Sequence, residues 1–270
     1  MITLSKEWVQ KKIGQLKINP SRDNGQNFLI SSDPIETIIK AGEVTTGDTV
    51  LEIGPGLGAL TESLLHTGAR VVAVEFDPKL AAYLKKEIPE KFPYEIVEGD
   101  VMRVLKPEMV AALGPYKLIA NIPYHITSDI IRMFIEHPTP PTTMCLLIQK
   151  EVGERITAKP PHMNQLALFT QWFGRVEYIK TVPKHYFMPA PSVDSAIVRI
   201  TPGKGVGATA NLTPEKRAQL FSLIKQGFSH PRKQLGNNLN IKNSSAAFDF
   251  SRRAETLTHE EWITLLNTLS

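Results

Sequence analysis

TVLEIGPGLGALTESLLHTGARVVAVE, residues 49–75, is the stretch that decides the fold. An apolar β-branched run, TVLEI (49–53), breaks at Gly54-Pro55-Gly56-Leu57-Gly58. The chain then enters ALTESLLHTG, whose apolar residues recur at helical spacing, and returns to a second run, RVVAVE (70–75). Two strands joined through a helix are parallel, because only a crossover of that length lets the second strand start at the same edge as the first.

The same alternation continues outward. YEIVEGD (94–100), YKLIAN (116–121) and MCLLIQ (144–149) read as further strands, with helical segments such as PKLAAYLKKEI between strands. Strands that are apolar almost throughout belong to a parallel sheet covered on both faces. VEYIKTV (176–182) and SAIVRIT (195–201) follow without a convincing helix between them, so an antiparallel pair is expected to close one edge. TPGKGVGATANLTP (201–214) reads as a linker. LTPEKRAQLFSLIKQGF and LTHEEWITLLNTL beyond it are helical; Thr213 and Thr258 are placed to cap them and Pro214 to start the first. The expected organisation is an α/β domain over residues 1–204 and a small helical domain over 205–270.

Composition fits an ordinary globular protein: 270 residues, 42% hydrophobic and 21% charged. No stretch approaches the roughly 18 apolar residues of a membrane span, and the N-terminus lacks the apolar core of a secretory signal. Cys145, the single cysteine, sits in the apolar run CLLI and is expected in the core, without an internal disulfide. A cytoplasmic protein is expected. The net charge of +4 is carried formally by residues 201–270, where nine Lys/Arg face five Asp/Glu. A basic tail on a neutral body suits a polyanionic partner, as it suits many plain surfaces.

Three strand ends carry the first candidate site. Gly54, Gly56 and Gly58 let the backbone turn sharply and let a ligand approach where a Cβ would block it. Gly54, Gly56 and Ala59 also satisfy a dinucleotide-binding pattern, which keeps an oxidoreductase open. Glu75 stands 21 residues after Gly54 and can accept hydrogen bonds from both hydroxyls of a ribose. Asp100 ends the third strand, within reach of an adenine amine. Together they define a site for an adenosine-containing cofactor and leave its identity open.

Asn121-Ile122-Pro123-Tyr124, at the end of the fourth strand, points to the chemistry. The exocyclic amine of adenine is a poor nucleophile because its lone pair is delocalised into the ring. Two acceptors that bind its hydrogens draw the nitrogen towards a tetrahedral shape and free that pair. The Asn121 side-chain oxygen and the Ile122 carbonyl can supply them. Pro123 fixes the turn, and Tyr124 can stack on the base once it leaves its neighbours. Methyl transfer would then depend on positioning and preorganised dipoles.

Gly25-Gln26-Asn27-Phe28-Leu29, Glu52-Ile53-Gly54-Pro55-Gly56-Leu57-Gly58, Gly99-Asp100-Val101, Asn121-Ile122-Pro123-Tyr124, Gln149-Lys150-Glu151-Val152 and Phe187-Met188-Pro189-Ala190-Pro191-Ser192-Val193-Asp194-Ser195 occur here in that order. In these motifs the chain resembles the small-subunit (16S) rRNA adenine N6,N6-dimethyltransferases, the KsgA/RsmA family. The resemblance implies a Rossmann-like class I methyltransferase sheet, mostly parallel, with a small C-terminal α-helical domain that contributes to rRNA contact. It implies S-adenosylmethionine as cofactor, touched by Asn27 and Leu29 and enclosed by Gly54, Gly56, Glu75, Asp100, Val101 and Asn121. It places Phe187 against the target base opposite Tyr124; the residue alone reads as a core or turn aromatic. It implies a substrate, two adjacent adenines in the 3′-terminal hairpin of 16S rRNA, met within a partly assembled 30S subunit by a monomeric enzyme. Ile122 departs from the Leu more common in small-subunit members and matches the related 23S rRNA dimethylases of macrolide resistance. A non-catalytic RNA-binding assembly factor is the rival from a different class.

Outside the pocket, Arg232 and Lys233 fall between two helical patterns where the family carries a similar basic stretch, which suggests phosphate contact. Lys150 and Arg155 follow the fifth strand and can face RNA, whereas Arg252-Arg253 reads as a helix cap or surface pair. His125, His162 and His185 form no metal-ligand spacing, and no metal is expected.

Overall fold

The computed structural model describes residues 4–20, 26–208, 211–241 and 248–269; Gly25 and Lys242 lie outside them. The elements are α1 (Lys6–Leu16), β1 (Phe28–Leu29), α2 (Asp33–Ala41), β2 (Thr49–Ile53), α3 (Ala59–His66), β3 (Arg70–Glu75), α4 (Pro78–Glu87) and β4 (Tyr94–Glu98). Then come α5 (Val101–Val104), α6 (Pro107–Ala111), β5 (Tyr116–Asn121), α7 (Thr127–Ile135), β6 (Thr143–Gln149), α8 (Lys150–Ile156) and α9 (Gln165–Phe173). The chain finishes with β7 (Gly174–Val182), β8 (Phe187–Met188), β9 (Ser195–Pro202), α10 (Pro214–Gly227), α11 (Leu235–Leu239) and α12 (His259–Leu269).

Seven strands form one sheet in the order β4-β3-β2-β5-β6-β9-β7. The pairs β3–β4, β2–β3, β2–β5 and β5–β6 are parallel, and β9 runs antiparallel to β6. The strands exist because they are apolar on both faces. Val50, Val71, Ile119 and Cys145 pack with Ile35 and Ile38 of α2 and Leu64 of α3. Leu51, Leu118 and Leu146, pointing the other way by alternation, are equally buried. The order reverses between β2 and β5, so the crevice at their C-terminal ends is the natural ligand position of such a sheet. A separate ribbon, β1–β8, pairs Phe28 with Met188 and Leu29 with Phe187.

The chain divides into two compact units. The larger takes Met1–Gly153 and Glu177–Pro202; the smaller takes Gly203–Ser270 together with Glu154–Val176, a stretch the sequence reading assigns to the larger domain. The reason is packing: α9 exposes Ala167, Leu168 and Trp172 to Leu220 and Ile224 of α10 and to Trp262 of α12, giving the smaller unit its core. The Gly-rich stretch after β9 is no bare tether, because Gly205 and Gly207 pack so closely on α9 that a side chain at either would overlap it. Helix starts follow the capping residues. Lys216 N donates to Thr213 Oγ at 3.3 Å, and at α12 a reciprocal box forms, Glu261 N to Thr258 Oγ at 3.2 Å and Thr258 N to Glu261 Oε2 at 2.8 Å.

Candidate active site

The turn after β2 is built on left-handed glycines, Gly54 (φ 68°), Gly56 (φ 60°) and Gly58 (φ 84°). The turn is closed by Glu75 from the neighbouring strand: its Oε2 accepts from Gly56 N at 3.0 Å and its Oε1 from Asp77 N at 2.8 Å. A Cβ on Gly56 would stand 3.2 Å from the Phe28 ring, so that ring packs directly against the turn. Glu75 is 5% exposed, and burial pushes its pKa up despite those two amides.

Two hollows flank this turn. One, of about 270 Å³, is lined by Gly54, Glu75, Phe76, Asp100, Val101, His125 and Ile126. Phe76 is 63% exposed, an unusual setting for so large an apolar ring, and it lines the hollow together with Asp100 and Val101. Asp100 has two tasks, since its Oδ1 also accepts from Met102 N at 3.0 Å and caps α5. The other hollow, of about 80 Å³, is lined by Asn27, Leu29, Glu52, Gly54, Gly56 and Asn121. Glu52 is the unexpected member. It is 1% exposed, its Oε2 has no hydrogen-bond partner among the described residues, and burial, with a smaller repulsion from Glu75, pushes its pKa up to about 8.

Asn121 closes β5 at the smaller hollow. Its Nδ2 donates to the Asn27 carbonyl at 3.4 Å, which turns the amide so that Oδ1 is directed away from that contact. The Ile122 side chain is buried and its N–H donates to the Leu147 carbonyl at 3.1 Å, fixing the peptide plane. Pro123 then starts a 3-10 turn, Tyr124–Ile126, with its carbonyl accepting from Ile126 N at 3.2 Å. The Tyr124 hydroxyl meets Ser195 Oγ at 2.8 Å, and burial holds the phenol above its usual pKa range.

Asn27, Leu29, Gly54, Gly56, Glu75, Asp100, Val101 and Asn121 therefore come together around the β2 turn. Phe187 is buried in this structure. At 3% exposure it pairs with Leu29 and packs in the core of the larger unit, where the β1–β8 ribbon needs an apolar anchor. Lys150 opens α8, and Arg155, Arg232 and Lys233 are exposed on the smaller unit. Arg252 pairs with Glu261 and donates to the Thr256 carbonyl, a local structural role. Phe76 escapes sequence reading, and Glu52 and Ser195 enter it only as motif members without a role. An aromatic directly after a strand-end carboxylate is a usable signal for Phe76, whereas Ser195 is 71 residues from Tyr124 in the chain.

A seven-stranded sheet of this order, with a glycine turn, a strand-end carboxylate and an oriented Asn at the switch point, is that of a Rossmann-like class I methyltransferase. The family model described as ribosomal RNA adenine dimethylase matches residues 18–269, and the chain belongs to that family. A ribosomal RNA small subunit methyltransferase A from Dehalococcoides mccartyi (strain CBDB1) is 38% identical over 249 residues, covering 88% of this chain and 84% of that protein. One of the same description from Clostridioides difficile (strain 630) is 33% identical, covering 98% and 95%. Among solved structures, a dimethyladenosine transferase from Plasmodium falciparum (TM-score 0.73, 26% identity, 90% of this chain and 97% of that one) is similar. So is the 23S rRNA methyltransferase ErmE (TM-score 0.73, 26% identity, 90% and 99%). The enzyme transfers methyl groups from S-adenosylmethionine to adenine in ribosomal RNA.

Proposed function

We propose that the substrate is small-subunit rRNA, met as a partly assembled 30S particle in the cytoplasm, and that this monomeric enzyme dimethylates the N6 amines of two adjacent adenines in its 3′-terminal hairpin. The observation that carries the chemistry is the orientation of Asn121, whose amide nitrogen is engaged by Asn27 so that its oxygen is left to accept. The residues present fit an adenosine-bearing cofactor: hollows open beside the glycine turn, and Glu75 and Asp100 both bring carboxylate acceptors to the larger one. Glu75 would hold the ribose hydroxyls, Asp100 the adenine amine, Val101 and Phe76 the faces of that base, and Asn27 and Leu29 the methionine end. When bound, S-adenosylmethionine supplies a methyl group on a positively charged sulfur.

Asn121 Oδ1 and the Ile122 carbonyl would each accept one hydrogen of the target amine. That draws the nitrogen towards tetrahedral geometry and frees its lone pair without a base strong enough to deprotonate it. Pro123 limits the backbone freedom of the turn. Tyr124 would stack on the extruded base, and Lys150, Arg155, Arg232 and Lys233 would meet phosphates. Purified protein with S-adenosylmethionine should methylate immature small subunits that lack dimethyladenine. Normal cofactor binding with no methyl entering those particles would overturn the proposal.

A further inference from the structure

The dipeptide Asp194-Ser195 joins Tyr124 to two lysine-bearing segments, and none of the roles above uses it. Ser195 is fully buried at the start of β9, opposite Gln149 of β6. Its Oγ lies 2.8 Å from the Tyr124 hydroxyl. A stacking ring needs only its face, so a phenylalanine would serve equally well unless the far end of the ring also had to be held. The phenol is no candidate base, because its burial and the nearby Asp194 both disfavour the phenolate. Its hydroxyl therefore serves orientation.

Asp194 gathers the surrounding backbone. Its carbonyl accepts from Lys150 N at 3.0 Å, where β6 passes into α8. Its Oδ1 accepts from Lys184 N at 3.0 Å, where a 3-10 turn, Lys184–Tyr186, begins. Two segments thus converge on the residue adjacent to Ser195, and each carries a lysine at the point of convergence. Lys184 is exposed. A nucleotide whose base lies on Tyr124 brings its own phosphates to this rim, where cations are favoured.

We propose that Asp194 and Ser195 are positioning residues for the target nucleotide: Ser195 fixes the Tyr124 ring through its hydroxyl, and Asp194 holds the Lys184 and Lys150 backbones so that both side chains meet the flanking phosphates. This rests on Tyr124 being the platform for the target base.

The test uses the full chain, small subunits lacking dimethyladenine, equilibrium binding across a salt series, and steady-state methyl transfer. Lys184→Ala should weaken subunit binding about 3- to 10-fold and lower the salt slope by roughly 0.7–0.9, the share of one phosphate. Asp194→Ala should weaken binding at least as much, while Asp194→Asn, which keeps an oxygen acceptor, should stay within about 2-fold of the parent. Ser195→Ala and Tyr124→Phe should each lower kcat about 3- to 30-fold with KM for subunits unchanged, and the double variant should be no worse than either alone. Unaltered affinity and slope in Lys184→Ala, equal losses in the two Asp194 variants, or multiplicative losses in the Ser195–Tyr124 cycle would overturn the proposal. Absence of methyl transfer by the parent protein would instead refute the adenine reading, and the binding arm would still decide the Lys184 and Asp194 placement.

Discussion

Glu52→Gln should make the larger unit more stable, and by an amount that grows with pH. Glu52 is wholly enclosed, one of its oxygens lacks a partner among the described residues, and its pKa stands at about 8 against an ordinary 4.5. Below about pH 4.5 the carboxyl is protonated in folded and unfolded chains alike and has no effect on the balance. Between there and pH 8 the unfolded chain releases the proton while the folded chain keeps it, so rising pH favours unfolding. Above pH 8 both states are ionised and stability levels off at its lowest. With these two values, linkage gives a loss of about 2–3 kcal/mol between pH 6 and pH 9 from this group. Glutamine keeps the shape and does not titrate. Glu75, also raised, is present in both proteins; the variant relieves its repulsion with Glu52, which acts in the same direction. Calorimetric unfolding of both proteins at pH 6 and pH 9 should show the advantage of the variant widening by about 5–10 °C, at the 2–4 °C per kcal/mol expected for a unit of this size. A gap that is constant, or narrows as pH rises, would refute the reasoning.

Asn121→Ala should lower methyl transfer about 10²- to 10³-fold, as loss of a preorganised polar group does, with S-adenosylmethionine affinity by calorimetry changed by less than about tenfold. Phe76→Ala should weaken S-adenosylmethionine binding about 5- to 100-fold, the worth of one aromatic face on a base, with little effect on kcat at saturating cofactor. Arg232→Ala combined with Lys233→Ala should lower the salt slope of subunit binding by roughly 1.4–1.8, two phosphates' worth, while leaving cofactor binding untouched.

The sheet was legible because a parallel strand buried on both faces must be apolar almost without break, and 49–53, 70–75 and 116–121 are observed at the ends read from sequence. The cofactor-side residues were legible for a related reason: the glycine turn, Glu75 and Asp100 each stand at or just after the end of a strand, and parallel strands end at one edge. What sequence could not give are contacts between distant segments with no periodicity of their own. The two-residue strands β1 and β8 are too short to show a pattern, yet their pairing buries Phe187 and brings Asn27 to Asn121. Glu52 looks like one polar residue in an apolar strand until α3 is seen to cover it. The sharing of α9 with the C-terminal helices was hidden because its apolar residues fit either core.

The central claim is that this chain places two methyl groups on N6 of adenines in small-subunit rRNA through Asn121. Nucleoside mass spectrometry of both rRNAs, from cells lacking the gene, cells with it restored and cells carrying Asn121→Ala, tests this most directly. Dimethyladenosine should be present in small-subunit rRNA only with the intact chain, with large-subunit rRNA unchanged. The same dimethyladenosine content in all three strains, or a change confined to large-subunit rRNA, would contradict it.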